Sequence, residues 1–167
     1  DDYALAVLNM KQKGLFGEPV HVEGGYFHDM RDYRFNYADK TNWRQNAGSD
    51  KPVRSANPYP THGIGPVAHW LGIHRGDKME TLNSVSSADF ALRDTAAVKF
   101  GKDDPLTRRF FPSDINLSVI RTNRGKTILI YYTTSLPGPY SRGYKLYGTR
   151  GFTQAYPEMC FAFDPKS

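Results

Sequence analysis

Two apolar stretches separated by a short polar turn constrain the fold of this chain more than any other feature. LSVIRT covers residues 117–122, KTILIYYTT covers residues 126–134, and Asn123-Arg124-Gly125 lies between them. β-branched and aromatic residues are frequent in both stretches, and a short connection that contains glycine is typical of a β-hairpin. We therefore predict two antiparallel strands joined by this turn, so the chain must contain a β-sheet.

The other elements follow from periodicity and from turn residues. Helices are predicted over residues 2–13 and 61–74, and strands over 19–28, 79–90, 143–149 and 151–156, with a polar irregular segment at 29–58, a charged connection at 91–113 and a loop at 135–141. A first helix followed mainly by antiparallel strands predicts an α+β fold built around one sheet. The length of 167 residues is sufficient for a single domain with its own core.

Composition excludes several classes of function. The net charge of +5 comes from scattered basic residues, which indicates an ordinary basic surface rather than a nucleic-acid interface. The single cysteine, Cys160, cannot form an internal disulfide, and the five histidines share no ligand spacing with it, so we expect no metal site. No apolar run approaches the ~20 residues of a transmembrane helix, and we expect no membrane insertion.

The segment YPTHGIGPVAHW, residues 59–70, is the first candidate for chemistry. Thr61 is a candidate N-cap, which places His62 in the first turn, and Pro66 is interpreted as a residue of the helix start. The positive end of the helix dipole disfavours an imidazolium there, so His62 can stay neutral and accept a proton while the Tyr59 phenol lies just outside the helix. The alternative is that His62 only helps to cap the helix and Tyr59 packs, and the residues alone favour this alternative.

A second concentration of polar residues, EGGYFHDMRDYR, lies at residues 23–34, where a predicted strand ends. Tyr26 and His28 share one face of that strand if no bulge interrupts Gly24-Gly25. Strand ends that lead into irregular loops are common positions for active sites, although a solvated edge with local ion pairs is an equal alternative. Arg44, in the segment NWR, is a candidate to bind a hydroxyl-rich or anionic ligand, or else to stack on a neighbouring aromatic ring.

The third candidate is the loop YYTTSLPGPYSR, residues 131–142. Its tyrosine and threonine side chains suit sugar hydroxyls, and we predict Tyr140 and Arg142 as substrate contacts. The alternative is a proline-rich connection without a binding role. The chain contains no G-x-G-x-x-G after a strand, no P-loop, no G-x-S-x-G and no H-E-x-x-H motif, so it lacks its own dinucleotide fingerprint.

Five stretches, in order, resemble glycoside hydrolase family 109: GEPVHVEGGYFHDMRD, NWR, YPTHGIGPVAHWLGIHRGDKM, RTNRGKTILIYYTTSLPGPYSR and LYGTRG. This family is the NAD-dependent α-N-acetylgalactosaminidase branch of the Gfo/Idh/MocA oxidoreductases, and the resemblance covers residues 3–156. It implies that residues 1–167 are the C-terminal domain, with one open, mainly antiparallel sheet and helices on one face. It also implies that NAD is held mainly by an N-terminal Rossmann domain that is absent from this chain.

The resemblance further implies a mechanism in which the sugar is transiently oxidised at C3, the leaving group is eliminated and water is added. It places His62 as the base that acts on the C3 hydroxyl or a neighbouring position, Tyr59 as its assistant, Tyr26 beside the sugar and Arg44 as a weaker substrate contact. The expected substrate is a carbohydrate, such as an N-acetylgalactosaminide. The isolated domain is expected to be inactive.

Two other functions stay open at this stage. The chain could belong to a sugar dehydrogenase that releases its reduced cofactor, or it could be a non-catalytic carbohydrate-binding or oligomerisation module whose open sheet face pairs subunits into a homo-oligomer. The resemblance also implies an exported, periplasmic protein, because members of the family are often exported.

Overall fold

A computed structural model of the protein describes residues 1–36 and 51–165. Its helices are α1 (Asp2–Gln12), α2 (Arg31–Arg34), α3 (Thr61–Leu71) and α4 (Phe90–Phe100), with a 3₁₀ turn at Pro105–Arg108. Its strands are β1 (Pro19–Phe27), β2 (Met79–Ser86), β3 (Asn116–Thr122), β4 (Thr127–Thr133), β5 (Lys145–Gly148), β6 (Gly151–Gln154) and β7 (Cys160–Phe163). The predicted hairpin is therefore confirmed as β3 and β4.

The strands form one seven-stranded sheet in the order β2-β3-β4-β1-β5-β6-β7. The pairing of β1 with β4 in the middle of the sheet is parallel, and the other pairings are antiparallel. Helix α3 packs against β1 and β4, and α1 packs against α3, so these two helices cover one face. Side chains on the other face, such as Val119 and Tyr147, stay exposed. The predicted α+β fold with an open, mainly antiparallel sheet is confirmed.

Strand β1 runs through the middle of the sheet without interruption at its two glycines. Its residues pair continuously with β4 from His21 to Phe27, and the irregularity in its pairing with β5 lies nearer its start, before His21. Alternation along the strand puts Val22, Gly24 and Tyr26 on the face that α3 covers. The shared face predicted for the end of this strand is thus present, because no bulge occurs at the glycine pair.

Two glycines allow the backbone of α3 to lie directly on β1. A Cβ atom added to Gly24 would lie 2.3 Å from the carbonyl oxygen of Gly63, and one added to Gly63 would lie 3.0 Å from the backbone nitrogen of Gly25. Any side chain at Gly24 would therefore collide with backbone, which cannot rotate away. The absence of side chains at this contact explains why α3 can come so close to the sheet.

The main core lies between this face of the sheet and α3. Trp70 and Val67 from α3 and Ile128 from β4 are completely buried there. The indole nitrogen of Trp70 donates a hydrogen bond of 3.0 Å to the carbonyl oxygen of Ala4, which links α3 to α1. Burial of such large apolar side chains supplies the main favourable free energy of folding.

Three parts of the predicted secondary structure were wrong. They concern the edge strand β2, the connection that follows it and the last strand, β7. The strand predicted over 79–90 ends at Ser86, the connection predicted over 91–113 contains α4 and the 3₁₀ turn, and β7 was not predicted. Helix α4 buries only Leu92 and Ala96, so its sequence carries too narrow an apolar stripe to be recognised. Strand β7 is short and largely exposed, and its pairing with β6 defines it rather than its own sequence.

Smaller corrections concern the polar segment and the helix ends. The segment predicted as irregular contains the four-residue helix α2, and α3 ends at Leu71 rather than at residue 74 because Gly72 adopts a left-handed conformation. Within the two described ranges, no helix is both long and apolar enough to cross a lipid bilayer.

We predict that Gly24→Ala lowers the free energy of unfolding by about 1–3 kcal/mol, because the new methyl group overpacks against the Gly63 carbonyl. Urea denaturation followed by circular dichroism measures this change. Gly65→Ala is the matched control, since a Cβ there has no atom within 4 Å and alanine favours helix. If the two variants show equal stability, the close contact does not constrain the fold.

Candidate functional site

His62 is the second residue of α3 and lies over the end of strand β1. The N-cap of this helix is Pro60 rather than the predicted Thr61, and no side chain caps it. The backbone oxygen of Pro60 accepts hydrogen bonds from the nitrogens of Gly63 and Ile64 instead. The first turn carries no acidic residue, so the positive end of the helix dipole acts on His62 without compensation within that turn.

Pro66 lies inside α3, whereas the sequence analysis had placed it at the helix start. Because proline has no N–H, it cannot donate to the carbonyl oxygen four residues earlier, which belongs to His62. The Tyr144 hydroxyl donates a hydrogen bond of 2.6 Å to that oxygen. Burial is the main cause that raises the pKa of Tyr144, which keeps its phenol protonated and able to donate.

The three residues predicted to be catalytic lie together. The Tyr26 ring stacks on the His62 imidazole at 5.0 Å between ring centres, with an angle of 16° between the planes. The Tyr59 ring meets both edge-on, at 4.6 Å from His62 and 5.5 Å from Tyr26. Tyr26 is buried, whereas His62 and Tyr59 are partly exposed. The cluster therefore has a buried side at Tyr26 and a solvent-facing side at His62 and Tyr59.

His28 completes this cluster, although the sequence analysis gave it no role of its own. Its Nδ1 lies 2.9 Å from the Tyr26 hydroxyl, and its ring meets the Tyr140 ring edge-on at 5.2 Å. Tyr140 also meets Tyr26 edge-on at 6.1 Å, so the loop residue predicted to bind substrate borders the predicted catalytic residues. The shared strand face of Tyr26 and His28 was the sequence signal for their contact.

Arg142 contacts His62 directly. Its Nη1 lies 2.6 Å from the Nδ1 of His62, its Nε hydrogen-bonds to the Tyr140 hydroxyl, and its guanidinium lies 5.6 Å from the centre of the Tyr140 ring. The predicted substrate contact is thus also a partner of the predicted catalytic histidine. Arg44, the remaining predicted substrate contact, lies outside the described residues.

A buried polar layer supports the cluster from within the sheet. Tyr132 on β4 stacks on Tyr26 at 6.3 Å, and its hydroxyl lies 3.3 Å from that of Thr134. The buried Arg34 from α2 donates to the same Thr134 hydroxyl at 2.6 Å. Sequence reasoning could not find this layer, because its members are separated by about a hundred positions in the chain.

Two of the cavities that border the cluster differ in their lining. A mainly apolar cavity of about 520 Å³ lies beside the start of α3 and is lined by Pro60, Ile64 and side chains of β2 and β3. A more polar cavity of about 730 Å³ is lined by His28, α2 and α4. Both volumes fall in the range of ligand pockets, and the first is lined in the manner typical of small-molecule sites.

The chemistry available at the cluster is that of its phenol and imidazole groups. In the residues that the structure describes, no three histidine, cysteine, aspartate or glutamate side chains are grouped to hold a metal ion. Phenol and imidazole groups can donate, accept and transfer protons, and their ring faces offer apolar surface to the C–H groups of a sugar. The cluster therefore suits the binding of a hydroxyl-bearing ring and proton transfer to it.

The open mixed sheet with helices on one face is a Gfo/Idh/MocA C-terminal domain-like α+β fold. Similar solved structures include a levoglucosan dehydrogenase in complex with NADH, with a TM-score of 0.59, 17% identity, and coverage of 98% of this chain and 41% of that chain. An inositol dehydrogenase homolog complexed with NAD⁺ from Azotobacter vinelandii has a TM-score of 0.63 at 15% identity, with coverage of 99% and 39%. At these identities the likeness shows the fold alone.

The chain belongs to the family "Glycosyl hydrolase 109, C-terminal domain", whose model matches residues 2–166. An alpha-N-acetylgalactosaminidase of Bacteroides fragilis is 43% identical over 167 residues, which cover 99% of this chain and 39% of that protein. A glycosyl hydrolase family 109 protein of Solibacter usitatus is 38% identical over 158 residues, which cover 94% and 35%. The chain thus spans about two fifths or less of the length of these relatives.

We predict that Tyr144→Phe lowers the free energy of unfolding by about 1–3 kcal/mol, because the His62 carbonyl then loses the phenol donor and Pro66 has no N–H to replace it. The matched test is the same substitution in a Pro66→Ala background, which restores the N–H that this carbonyl needs. Chemical denaturation of the four proteins gives the coupling energy. Equal costs of Tyr144→Phe in both backgrounds would show that the phenol does not compensate for the proline.

Proposed function

We propose that this chain is the substrate domain of an NAD-dependent glycosidase that acts on α-N-acetylgalactosaminides. The observation that carries the proposal is the convergence of Tyr26, Tyr59 and His62 at the start of α3. Membership of the glycosyl hydrolase 109 family and the 43% identity to an alpha-N-acetylgalactosaminidase support the substrate class. The reaction proposed is transient oxidation at C3, elimination and addition of water.

The residues of this chain fit the substrate side of that reaction. The sequence has no G-x-G-x-x-G motif after a strand, and the rings of Tyr59 and His62 lie at the start of α3. NAD, when bound, supplies reversible oxidation of a ring carbon. We propose that a separate N-terminal Rossmann domain of the full polypeptide holds it. Two solved structures that share this fold are complexes with NADH and NAD⁺, which supports the choice of cofactor.

Each member of the cluster has a proposed task toward the sugar. Tyr59 and His62 are partly exposed at the helix start and are placed to hydrogen-bond to ring hydroxyls. The Tyr26 hydroxyl, bonded to His28, is placed to exchange a proton through that imidazole. Tyr140 and Arg142 close the cluster from the loop side, and Arg44 stays a proposed substrate contact.

A sugar dehydrogenase is the second candidate, and the fold of levoglucosan and inositol dehydrogenases favours it. The two activities differ in the fate of the electrons, because a glycosidase of this kind recycles its reduced cofactor within one turnover. Absorbance at the NADH band during turnover of the full-length protein distinguishes them. Stoichiometric accumulation of NADH would favour the dehydrogenase, and sugar release without accumulation would favour the glycosidase.

A non-catalytic carbohydrate-binding or oligomerisation module is the third candidate, and the exposed apolar side chains of the open sheet face, such as Val119 and Tyr147, favour it. Isothermal titration of the chain with N-acetylgalactosamine distinguishes a binding module from a catalytic domain, since tight binding without NAD would favour the binding module. Light scattering of the purified chain shows whether it forms a homo-oligomer.

We predict that His62→Ala in the full-length protein lowers kcat by at least ~10²-fold, the usual contribution of a group that transfers protons or stabilises charge in the transition state. NAD binding, measured by fluorescence titration, should not change. His69→Ala is the matched control, because His69 lies on the same helix, is exposed and contacts Arg75 rather than the cluster. Equal turnover of the two variants would remove His62 from the proposed catalytic group.

A further inference from the structure

We propose that the mainly apolar cavity between α3 and strands β2 and β3 binds the leaving group of the glycoside, and that it prefers an apolar leaving group with an O–H or N–H donor. In the proposed function, the reacting sugar lies over the cluster of Tyr26, Tyr59 and His62. That the occupant is a leaving group rests on the proposed function, whereas the preference for an apolar group with a donor follows from the residues of the cavity.

The cavity continues from the cluster along the face of the sheet that α3 covers. Ile130 in its wall is two residues before Tyr132 on β4, and Tyr132 stacks on Tyr26 at 6.3 Å. Two residues along a strand span about 7 Å on one face. Pro60, also in the wall, directly follows Tyr59 in the chain. A group attached to a sugar that lies over the cluster can therefore reach this cavity.

The walls of the cavity are mainly apolar. Ile64 from α3, Ile120 from β3 and Ile130 from β4 line it. Leu82, from the edge strand β2, also lines it and is 63% exposed. An apolar ligand would remove these side chains from water, which is favourable. A sugar, which carries hydroxyls on most of its carbons, suits such walls less well than an apolar group.

A hydrogen-bond network of asparagine and serine side chains lies on the same face. Asn116 is only 2% exposed, and its Nδ2 lies 2.9 Å from the Ser84 hydroxyl and 2.8 Å from the Ser86 hydroxyl. The same nitrogen lies 3.1 Å from the carbonyl oxygen of Val85. Because a carbonyl oxygen can only accept, this contact fixes which amide atom is the nitrogen. The amide oxygen then lies 3.1 Å from the Ser118 hydroxyl, which is 3.0 Å from that of Ser84.

The positions of the two serine protons follow from these contacts. The buried amide oxygen of Asn116 needs a donor, and among the described residues Ser118 is the one group bonded to it, so Ser118 donates. The contact between the two serines must then be donated by Ser84. Both protons are committed within the network, so this serine pair offers only oxygen lone pairs to the cavity. A ligand group beside the pair must therefore be a donor.

This combination defines the leaving group by its chemistry. An O–H or N–H gains a hydrogen bond from the oxygen of Ser84 or Ser118, whereas an ether oxygen of similar shape brings lone pairs against lone pairs. The two serines lie in one row across the sheet with Ile130, so the acceptors sit directly beside apolar side chains. The preferred leaving group therefore has an apolar body and a donor of its own.

Isoleucine methyl spectra of the chain test occupancy without any reaction. The probe is 4-hydroxyphenyl α-N-acetylgalactosaminide, which carries an apolar ring with an O–H. We expect it to shift the signals of Ile64, Ile120 and Ile130, which line the cavity, and to leave Ile73, which lies in the core outside it. N-acetylgalactosamine without a leaving group should not shift the three signals. No shift with the probe, or equal shifts with both compounds, would overturn the inference.

Turnover of the full-length protein tests the preference for a donor. The comparison substrate is 4-methoxyphenyl α-N-acetylgalactosaminide, whose leaving group is similar in acidity but has an ether in place of the O–H. We expect kcat/KM to be about 3–10-fold higher for the hydroxyphenyl glycoside, the usual value of one net hydrogen bond. Ser118→Ala should bring the two values close together, because Ser84 then loses its acceptor and can donate to the methoxy oxygen.

Two further variants keep this test decisive. Asn83→Ala is the matched control and should keep the native ratio, because Asn83 precedes Ser84 on β2 but faces the other side of the sheet, opposite Val119. Ser84→Ala, at an exposed position, leaves the bond of Ser118 to Asn116 intact and should also lower the ratio. An unchanged ratio in both serine variants, or no preference in the native protein, would refute the selection. Absence of turnover with both glycosides would refute the proposed function, and the methyl spectra would still decide whether the cavity binds the probe.

Discussion

The contact between the backbones of α3 and β1 is the constraint on which the rest of the structure depends. Gly24 on the strand and Gly63 on the helix leave no side chain between the two elements, and a single methyl group would not fit at Gly24. The helix start therefore lies directly above the last residues of the strand. This distance is what allows the His62 ring to stack on Tyr26 at 5.0 Å, because both side chains project from elements that almost touch.

Helix α3 lacks one internal hydrogen bond, and the segment between β4 and β5 compensates for it. Pro66 removes the donor for the His62 carbonyl, and Tyr144 supplies another from the strand side. Arg142, two residues earlier, supplies a donor to the ring of the same residue. One short segment thus satisfies His62 at the backbone and at the side chain, which ties the orientation of the imidazole to the position of that segment.

In the proposed enzyme, the cluster forms the substrate side of the reaction site. It offers phenol and imidazole groups and partly exposed ring faces, but the chain carries no dinucleotide fingerprint. Its relatives in the glycosyl hydrolase 109 family are more than twice as long. In the proposed enzyme, specificity for the sugar and proton transfer come from this chain, and the change of oxidation state comes from another part of the polypeptide.

The sequence by itself determined the hairpin of β3 and β4, the helices α1 and α3, strand β1 and the family, because each depends on local periodicity or on a contiguous motif. The family resemblance indicated Tyr26, Tyr59 and His62 as catalytic residues, whereas the residues alone favoured a capping role for His62 and packing for Tyr59. Helix α4 and strand β7 escaped it, because neighbouring elements stabilise them more than their own patterns do. Only the tertiary structure brought Arg142 and Tyr144 to His62, because their contacts with its ring and its carbonyl oxygen join residues that are about eighty positions apart in the chain.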